Sequence, residues 1–122
     1  MTMLTEKRRI YVCGPMRGYP RFNFDKFAEV TEILRDMGHE VINPAEYDLA
    51  QGFDPDSPLP DDYNMAETIK RDIDWILNCE DLVILPDWEF SVGATAERAL
   101  AIWLGRGVYY WETIEAWALD LL

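Results

Sequence analysis

Cysteine and histidine are scarce in this sequence of 122 residues, which has two cysteines and one histidine. Cys13 and Cys79 lie far apart and form no CxxC pair, so we expect reduced thiols rather than a disulfide framework. His39 directly follows Gly38, the predicted end of a helix, where it caps the helix or faces water. No cluster of Cys, His, Asp and Glu has metal-ligand spacing, so we predict neither a metal site nor a Cys/His nucleophile.

Basic residues and long apolar runs are also lacking. Eleven Lys and Arg residues stand against 23 Asp and Glu residues, giving a net charge of −12. This balance argues against binding to nucleic-acid polymers or anionic membranes, so an anionic ligand would need a local site. No stretch reaches the roughly 18 apolar residues of a membrane span, and "MTMLTEKRRI" lacks the apolar region of a signal peptide. We therefore expect a cytoplasmic protein without a membrane partner.

The sequence has enough apolar residues to form a hydrophobic core: 49% of its residues are hydrophobic and 13% are aromatic. This composition, at this length, predicts a single globular domain over residues 1–122. Strands are predicted in "RRIYVCG", "EVINP", "DLVILP" and "GVYYW". Helical spacing marks "NFDKFAEVTEILRDMG", with Asn23 as N-cap, and "DYNMAETIKRDIDWILNCE", residues 92–104 and "ETIEAWALDLL". Residues 45–62 are predicted to form a long loop.

Strands that alternate with helices predict an α/β fold with a parallel sheet covered on both faces. Ligands of such sheets bind at the carboxyl ends of the strands. The loops "GPMRGYPRFN" and "PDWEFSVG", which follow the first and third strands, should therefore meet at one site. Trp88, in the second loop, is positioned to cover a flat ligand.

The turn "GPMRG" is neither a P-loop nor a GxGxxG fingerprint. Gly14 and Gly18 still permit close approach of a ligand to the backbone, and the amides beside Arg17 can hold a phosphate. An ordinary tight turn explains the same residues equally well.

Two carboxylates are candidates for chemistry. Glu97 lies six residues after Ser91 in "SVGATAERALA", where Ser91 and Gly93 open a helix. It is either a favourable charge near the helix dipole or a nucleophile whose pKa the dipole holds low. Asp72 falls on the border of an apolar helical stripe, whereas Asp74 should be more exposed. A solvated surface role is the alternative for either aspartate.

The order and spacing of these motifs resemble a known family. "YVCGPMRG", "DIDWILNCEDLVIL" and "SVGATAERALA" are similar to motifs of the nucleoside 2-deoxyribosyltransferase superfamily, over residues 8–110. The similarity is greatest to its small, often phage-encoded members and to the 2'-deoxynucleoside 5'-phosphate N-hydrolases. Tyr11, Asp72, Ser91 and Glu97 occupy the family's motif positions.

The resemblance implies a flavodoxin-like, Rossmann-like sheet of four to five strands and cleavage of an N-glycosidic bond without a cofactor. Glu97 would attack the anomeric carbon, Tyr11 would orient Glu97, and Asp72 would protonate or hold the departing base, a task that favours a raised pKa. The substrate-binding residues implied or inferred in addition to these three are Gly14, Met16, Arg17, Gly18, Asn23, Trp88, Ser91 and Gly93.

The motifs and the resemblance are compatible with three functions. The leading expectation is hydrolysis of a 2'-deoxynucleoside 5'-monophosphate to free base and deoxyribose 5-phosphate. The first alternative is base exchange between deoxynucleosides, and the second is a nucleotide-binding module without turnover. Pro15 stands where the hydrolases tend to have a small polar residue, and it lacks an N–H that could bind phosphate. The resemblance also implies a homodimer or larger assembly, with the segments around Trp103 and residues 108–117 as contact surface.

Overall fold

The computed structural model describes the backbone of residues 6–121 and the side chains of residues 6–116. Its centre is a four-stranded parallel sheet in the order β2-β1-β3-β4. The strands are β1 (Arg9–Cys13), β2 (Glu40–Ile42), β3 (Asp81–Ile84) and β4 (Gly107–Tyr110). In β1, Tyr11 lies opposite Ile42 of β2 and Leu82 of β3. The predicted parallel α/β sheet is confirmed, and it has four strands.

Within residues 6–121, five α-helices accompany the sheet: α1 (Phe24–Asp36), α2 (Pro44–Ala50), α3 (Met65–Leu77), α4 (Val92–Trp103) and α5 (Trp111–Leu121). Successive residues of β1 point to opposite faces. Ile10 and Val12 pack in one core cluster with residues of α1 and α5. Tyr11 and Cys13 pack in a second cluster with residues of α3 and α4. The side chain of Tyr11 therefore faces the two helices that carry Asp72 and Glu97.

Helix α2 lies inside the segment predicted to be a loop, so that prediction was wrong at its start. The Asn43 side chain accepts hydrogen bonds from the amides of Ala45 (2.9 Å) and Glu46 (3.3 Å), which caps the helix. Pro44 occupies the first helical turn, where its missing N–H costs nothing. A cap residue followed by proline is a helix-start signal, but at seven residues the helix is too short to show periodicity.

The start of α1 also differs from the prediction. Arg21, Phe22 and Asn23 have φ values of 51°, 53° and 64°, so three successive residues adopt the left-handed conformation. Asn23 makes no side-chain capping bond to the helix. Its Nδ2 instead donates a hydrogen bond to the carbonyl oxygen of Pro15 (2.9 Å), which ties the turn after β1 to the start of α1.

Gly14 is required by packing at the end of β1. A Cβ atom at this position would lie 2.7 Å from Cβ of Leu85, the residue that follows β3. The absence of a side chain thus lets the ends of the two central strands approach each other. None of the helices described over residues 6–121 is long and apolar enough to cross a membrane.

Candidate active site

A cavity of about 980 Å³ opens at the carboxyl ends of β1 and β3. The loops after these strands meet there, as predicted, and the hydroxyl of Tyr19 hydrogen-bonds Oδ2 of Asp87 between them (3.3 Å). One wall of the cavity is aromatic, built from Phe22, Phe24, Phe53 and Tyr63. A cavity of this size and lining can enclose a ligand as large as a nucleotide.

Tyr11 and Glu97 form a hydrogen-bonded pair that lines this cavity. Tyr11 is fully buried, and its hydroxyl donates to Oε2 of Glu97 at 2.8 Å. Cys13 points to the same face of the sheet, and its buried thiol lies against both Glu97 and the carbonyl oxygen of Ala94 (3.6 Å). Strand β1 thus supplies the hydroxyl that fixes the orientation of the Glu97 carboxylate, and it places a buried thiol beside the same carboxylate.

The pKa of Glu97 is raised to about 7, first because the carboxyl is buried and second because Asp72 is nearby. Hydrogen bonds from Tyr11 and Cys13 oppose this rise without cancelling it. The expectation that the helix dipole holds this pKa low was wrong. Glu97 is the sixth residue of α4, beyond the first turn where the dipole acts, and sequence gives no measure of its burial.

This pKa predicts a stability difference between the protein and its Glu97→Gln variant. The folded state holds the proton up to about pH 7, whereas an unfolded glutamate releases it near pH 4.5. Stability therefore falls as pH rises from about 4.5 to 7, and the full penalty is present above pH 7. We expect the glutamine variant to gain up to about 3 kcal/mol at pH 8 and nothing at pH 4. Urea unfolding at both pH values measures this, and an equal difference at both would contradict it.

Asp72 lies in the same cavity and is held by a guanidinium group. Oδ1 of Asp72 accepts from Nε (3.0 Å) and Nη2 (2.9 Å) of Arg71, while Nη1 of Arg71 donates to Oδ1 of Asp48 (2.7 Å). The Arg71 guanidinium also lies over the rings of Tyr47 (4.9 Å) and Trp75 (4.7 Å), which contact each other edge to face. One immobilised cation thus joins two carboxylates that line the cavity.

The pKa of Asp72 is raised, because the burial of its carboxyl outweighs the opposing charge of Arg71. The direction agrees with the expectation for a group that protonates a departing base. Asp74, two residues further along α3, is exposed as predicted. The cavity therefore places two carboxyl groups with raised pKa values beside one buried tyrosine.

Residues 8–110 match the model of a family described as a domain of unknown function, DUF4406. The chain belongs to the DUF4406 family. No curated protein matches the sequence at a significant level. Among solved structures, a 2-deoxyribosyltransferase from Bacillus psychrosaccharolyticus matches with a TM-score of 0.62 and 20% identity, over 84% of this chain and 70% of that one. The DUF4406 protein therefore shares the fold of a 2-deoxyribosyltransferase.

Most of the other predicted site residues of this DUF4406 protein line the cavity. These are Gly14, Met16, Arg17, Ser91 and Gly93. Ser91 caps α4 by accepting a hydrogen bond from the amide of Ala94 (3.1 Å).

Gly18, Asn23 and Trp88 do not line the cavity. Gly18 has a φ of 84° and forms part of the turn, and Asn23 holds that turn through Pro15. The Trp88 ring instead lies under the guanidinium of Arg98 (4.5 Å) and beside the Tyr110 ring (6.0 Å). The Trp88 indole therefore packs against protein side chains and does not face the cavity.

The sequence patterns did not identify three residues as part of the DUF4406 site: Cys13, Asp48 and Arg71. Asp48 lies in the segment predicted as a loop, and nothing in the spacing of its predicted helix distinguishes Arg71 from other charged residues. The signal that was available is the cap and proline that start α2, because the next turn of that helix carries Tyr47 and Asp48 toward α3. Among residues 6–116, no group of His, Cys, Asp and Glu has the geometry of a metal site.

Proposed function

We propose that this DUF4406 protein cleaves the N-glycosidic bond between the sugar and the base of a 2'-deoxynucleoside and transfers the deoxyribosyl group to a second base. The observation that carries the proposal is the hydrogen bond from buried Tyr11 to Glu97 in a cavity that also contains Asp72. The solved structure that shares its fold is described as a 2-deoxyribosyltransferase and as a biocatalyst for nucleoside synthesis.

In the proposed reaction, a carboxylate oxygen of Glu97 bonds to C1' of the sugar while the bond from C1' to the base nitrogen breaks. The bonding electron pair stays on the base, which takes a proton from Asp72. A nitrogen of the acceptor base then attacks C1', Glu97 leaves as a carboxylate, and the acceptor's proton passes to Asp72. The hydrogen bond from Tyr11 holds the nucleophile in place throughout both steps, and the buried Cys13 thiol packs beside it.

The charges of the cavity favour a neutral nucleoside over a phosphorylated one. Asp48, Asp72 and Glu97 all line it, and Arg17 is the single cationic lining residue within the described part of the chain. Arg17 is exposed, and Pro15 has no N–H to offer a phosphate. A phosphate bound here would share the cavity with three carboxyl groups, of which Asp48 and Asp72 already occupy Arg71, and its cationic partner would be the solvated guanidinium of Arg17.

Hydrolysis of a 2'-deoxynucleoside 5'-monophosphate is the second candidate. It is favoured by Arg17 and by Ser91 and Gly93 at the N-terminus of α4, which together offer hydrogen-bond donors on one side of the cavity. Glu97 and Asp72 would then act as described above, but water instead of a second base would attack C1' of the sugar.

Purified protein incubated with each deoxynucleoside and each 5'-monophosphate, with and without a free acceptor base, tests these candidates by chromatography. New nucleosides formed only with the acceptor support exchange. Base released from monophosphates in its absence supports hydrolysis. Binding of these compounds without any product would favour the non-catalytic module and reject both enzymes.

We also propose that a second copy of the chain covers the mouth of this cavity. Apolar side chains that line the cavity are exposed to solvent, above all Val92 (90% exposed), Trp103 (86%) and Phe90 (80%). Surfaces of this kind are typical of protein interfaces. Of the other expected contact segment, Trp111 is buried in the core, and Trp117 lies outside the described side chains.

Replacing Trp103 with glutamate should shift the protein from dimer or larger to monomer, because it places a charge in the buried interface. The measurement is sedimentation velocity at matched concentrations. Leu49→Glu is the control, since Leu49 is an exposed apolar residue on α2 that does not line the cavity. A wild-type protein that sediments as a monomer would contradict the proposed assembly.

A further inference from the structure

The paired carboxyl groups of Asp48 and Asp72 are the polar part of a cavity wall that is otherwise largely apolar. Both are largely withdrawn from solvent, with side chains 14% and 17% exposed. Arg71 binds the two groups at once and is itself held against two aromatic rings, those of Tyr47 and Trp75. The two carboxyl groups are therefore neighbours in fixed orientations, which a site that reads hydrogen-bonding patterns requires.

The hydrogen bonds to Arg71 determine which carboxyl oxygens of the two aspartates remain available to bind a ligand. Both aspartates use Oδ1 for the guanidinium, and among the described residues Oδ2 of Asp48 receives no hydrogen bond. A carboxylate oxygen can only accept hydrogen bonds, whereas a carboxyl group that carries a proton also donates one. In the proposed reaction Asp72 is the group that donates a proton, so the wall offers one donor beside one acceptor.

This pattern matches some bases and not others. Adenine presents its N7 acceptor beside the N6 amino group, and cytosine presents its N3 acceptor beside the N4 amino group. Hypoxanthine and uracil carry a carbonyl oxygen in place of that amino group. A carbonyl oxygen facing Oδ2 of Asp48 would bring two acceptors together and leave both without a hydrogen bond.

We propose that the site selects deoxynucleosides whose base carries an exocyclic amino group next to a ring nitrogen acceptor. Asp48 accepts a hydrogen bond from the amino group and Asp72 donates to the ring nitrogen. Asp48 is thus the specificity-determining residue, and Arg71 positions both aspartates. The inference rests on the proposed function and names the class of base on which that function acts.

Two matched pairs of substrates test it: deoxyadenosine with deoxyinosine, and deoxycytidine with deoxyuridine. Within each pair the amino group is replaced by a carbonyl oxygen, and the adjacent ring nitrogen, N1 of the purine or N3 of the pyrimidine, gains a hydrogen. We expect kcat/KM to favour the amino member of each pair by about 10- to 100-fold. Equal kcat/KM values within both pairs would overturn the inference while leaving the proposed function intact.

The Asp48→Asn variant provides the reciprocal test. Its amide keeps an oxygen for Arg71 and adds N–H donors, so it can pair with a carbonyl oxygen. We expect the preference for amino bases to fall at least about tenfold or to reverse. Circular dichroism and thermal melting check that the variant folds. An unchanged preference in a folded variant would exclude Asp48 as the determinant.

A binding measurement separates this inference from the chemistry. Calorimetric titration of the wild-type protein with adenine against hypoxanthine, and cytosine against uracil, requires no turnover. Tighter binding of the amino bases would support the inference even if no substrate is cleaved. Equal binding, or binding of none of the four bases, would overturn it.

Discussion

Replacing Glu97 with glutamine is expected to reduce base exchange by about 10⁴- to 10⁶-fold, the loss seen when an attacking side chain is removed. Glutamine keeps the shape of the side chain and an oxygen for the Tyr11 hydroxyl, but it cannot form the ester with C1'. The measurement is the initial rate of new nucleoside formation, with the deoxynucleoside that the wild type exchanges fastest. A rate within tenfold of the wild type would reject Glu97 as the nucleophile.

Glu112→Gln is the matched control for this loss. Glu112 is exposed at the start of α5 and does not line the cavity, so the same chemical change should leave the exchange rate unaltered. A second observation distinguishes a nucleophile from a residue that only binds substrate. Mass spectrometry of wild-type protein quenched during turnover should show a deoxyribosyl adduct on the peptide that contains Glu97, and the glutamine variant should show none.

The pH dependence of exchange should reflect both carboxyl groups. Glu97 must be ionised to attack, and its pKa is raised to about 7, so the rate should rise with pH through that range. Asp72 must carry a proton when the base departs, so the rate should fall again once Asp72 is ionised. Each charge disfavours the other, and the two groups therefore titrate as a coupled pair.

The sequence predicts the fold well because the main elements are long or strongly patterned. The apolar run in β3 and the helical spacing of α1, α3 and α4 place these elements within a few residues of their positions. Their alternation is enough to predict a parallel sheet and to bring the ends of β1 and β3 together. The pairing of Tyr11 with Glu97 was implied by the family resemblance, and the structure puts the two side chains in hydrogen-bond contact.

What the sequence could not give is the part of the site that depends on side-chain packing. The pKa of Glu97 is set by burial and by Asp72, neither of which is visible in the sequence near Glu97. Arg71 binds Asp48, 23 positions away, and stacks on rings from two helices. Such contacts arise only once α2 and α3 are packed together. Helix α2 is itself too short for its position to be predicted from hydrophobic periodicity.

Replacing Asp72 with asparagine should slow exchange by about 10²- to 10⁴-fold, because the variant cannot protonate the departing base. Asparagine keeps an oxygen that can accept hydrogen bonds from Arg71, so the contact of Arg71 with Asp48, which joins α3 to α2, should be retained. Asp74→Asn is the control: it is the same change on the same helix at an exposed position, and it should have no effect. Steady-state rates of the three proteins measure the difference.

Two further results distinguish a proton donor from a residue that only shapes the cavity. A deoxyriboside whose leaving group departs without protonation should be cleaved by Asp72→Asn at nearly the wild-type rate, since no acid is needed for it. The charge of Asp72 also raises the pKa of Glu97, so its removal should move the rise of the rate to lower pH. If all leaving groups slow equally and the pH profile stays in place, Asp72 supports the shape of the cavity and another group protonates the base.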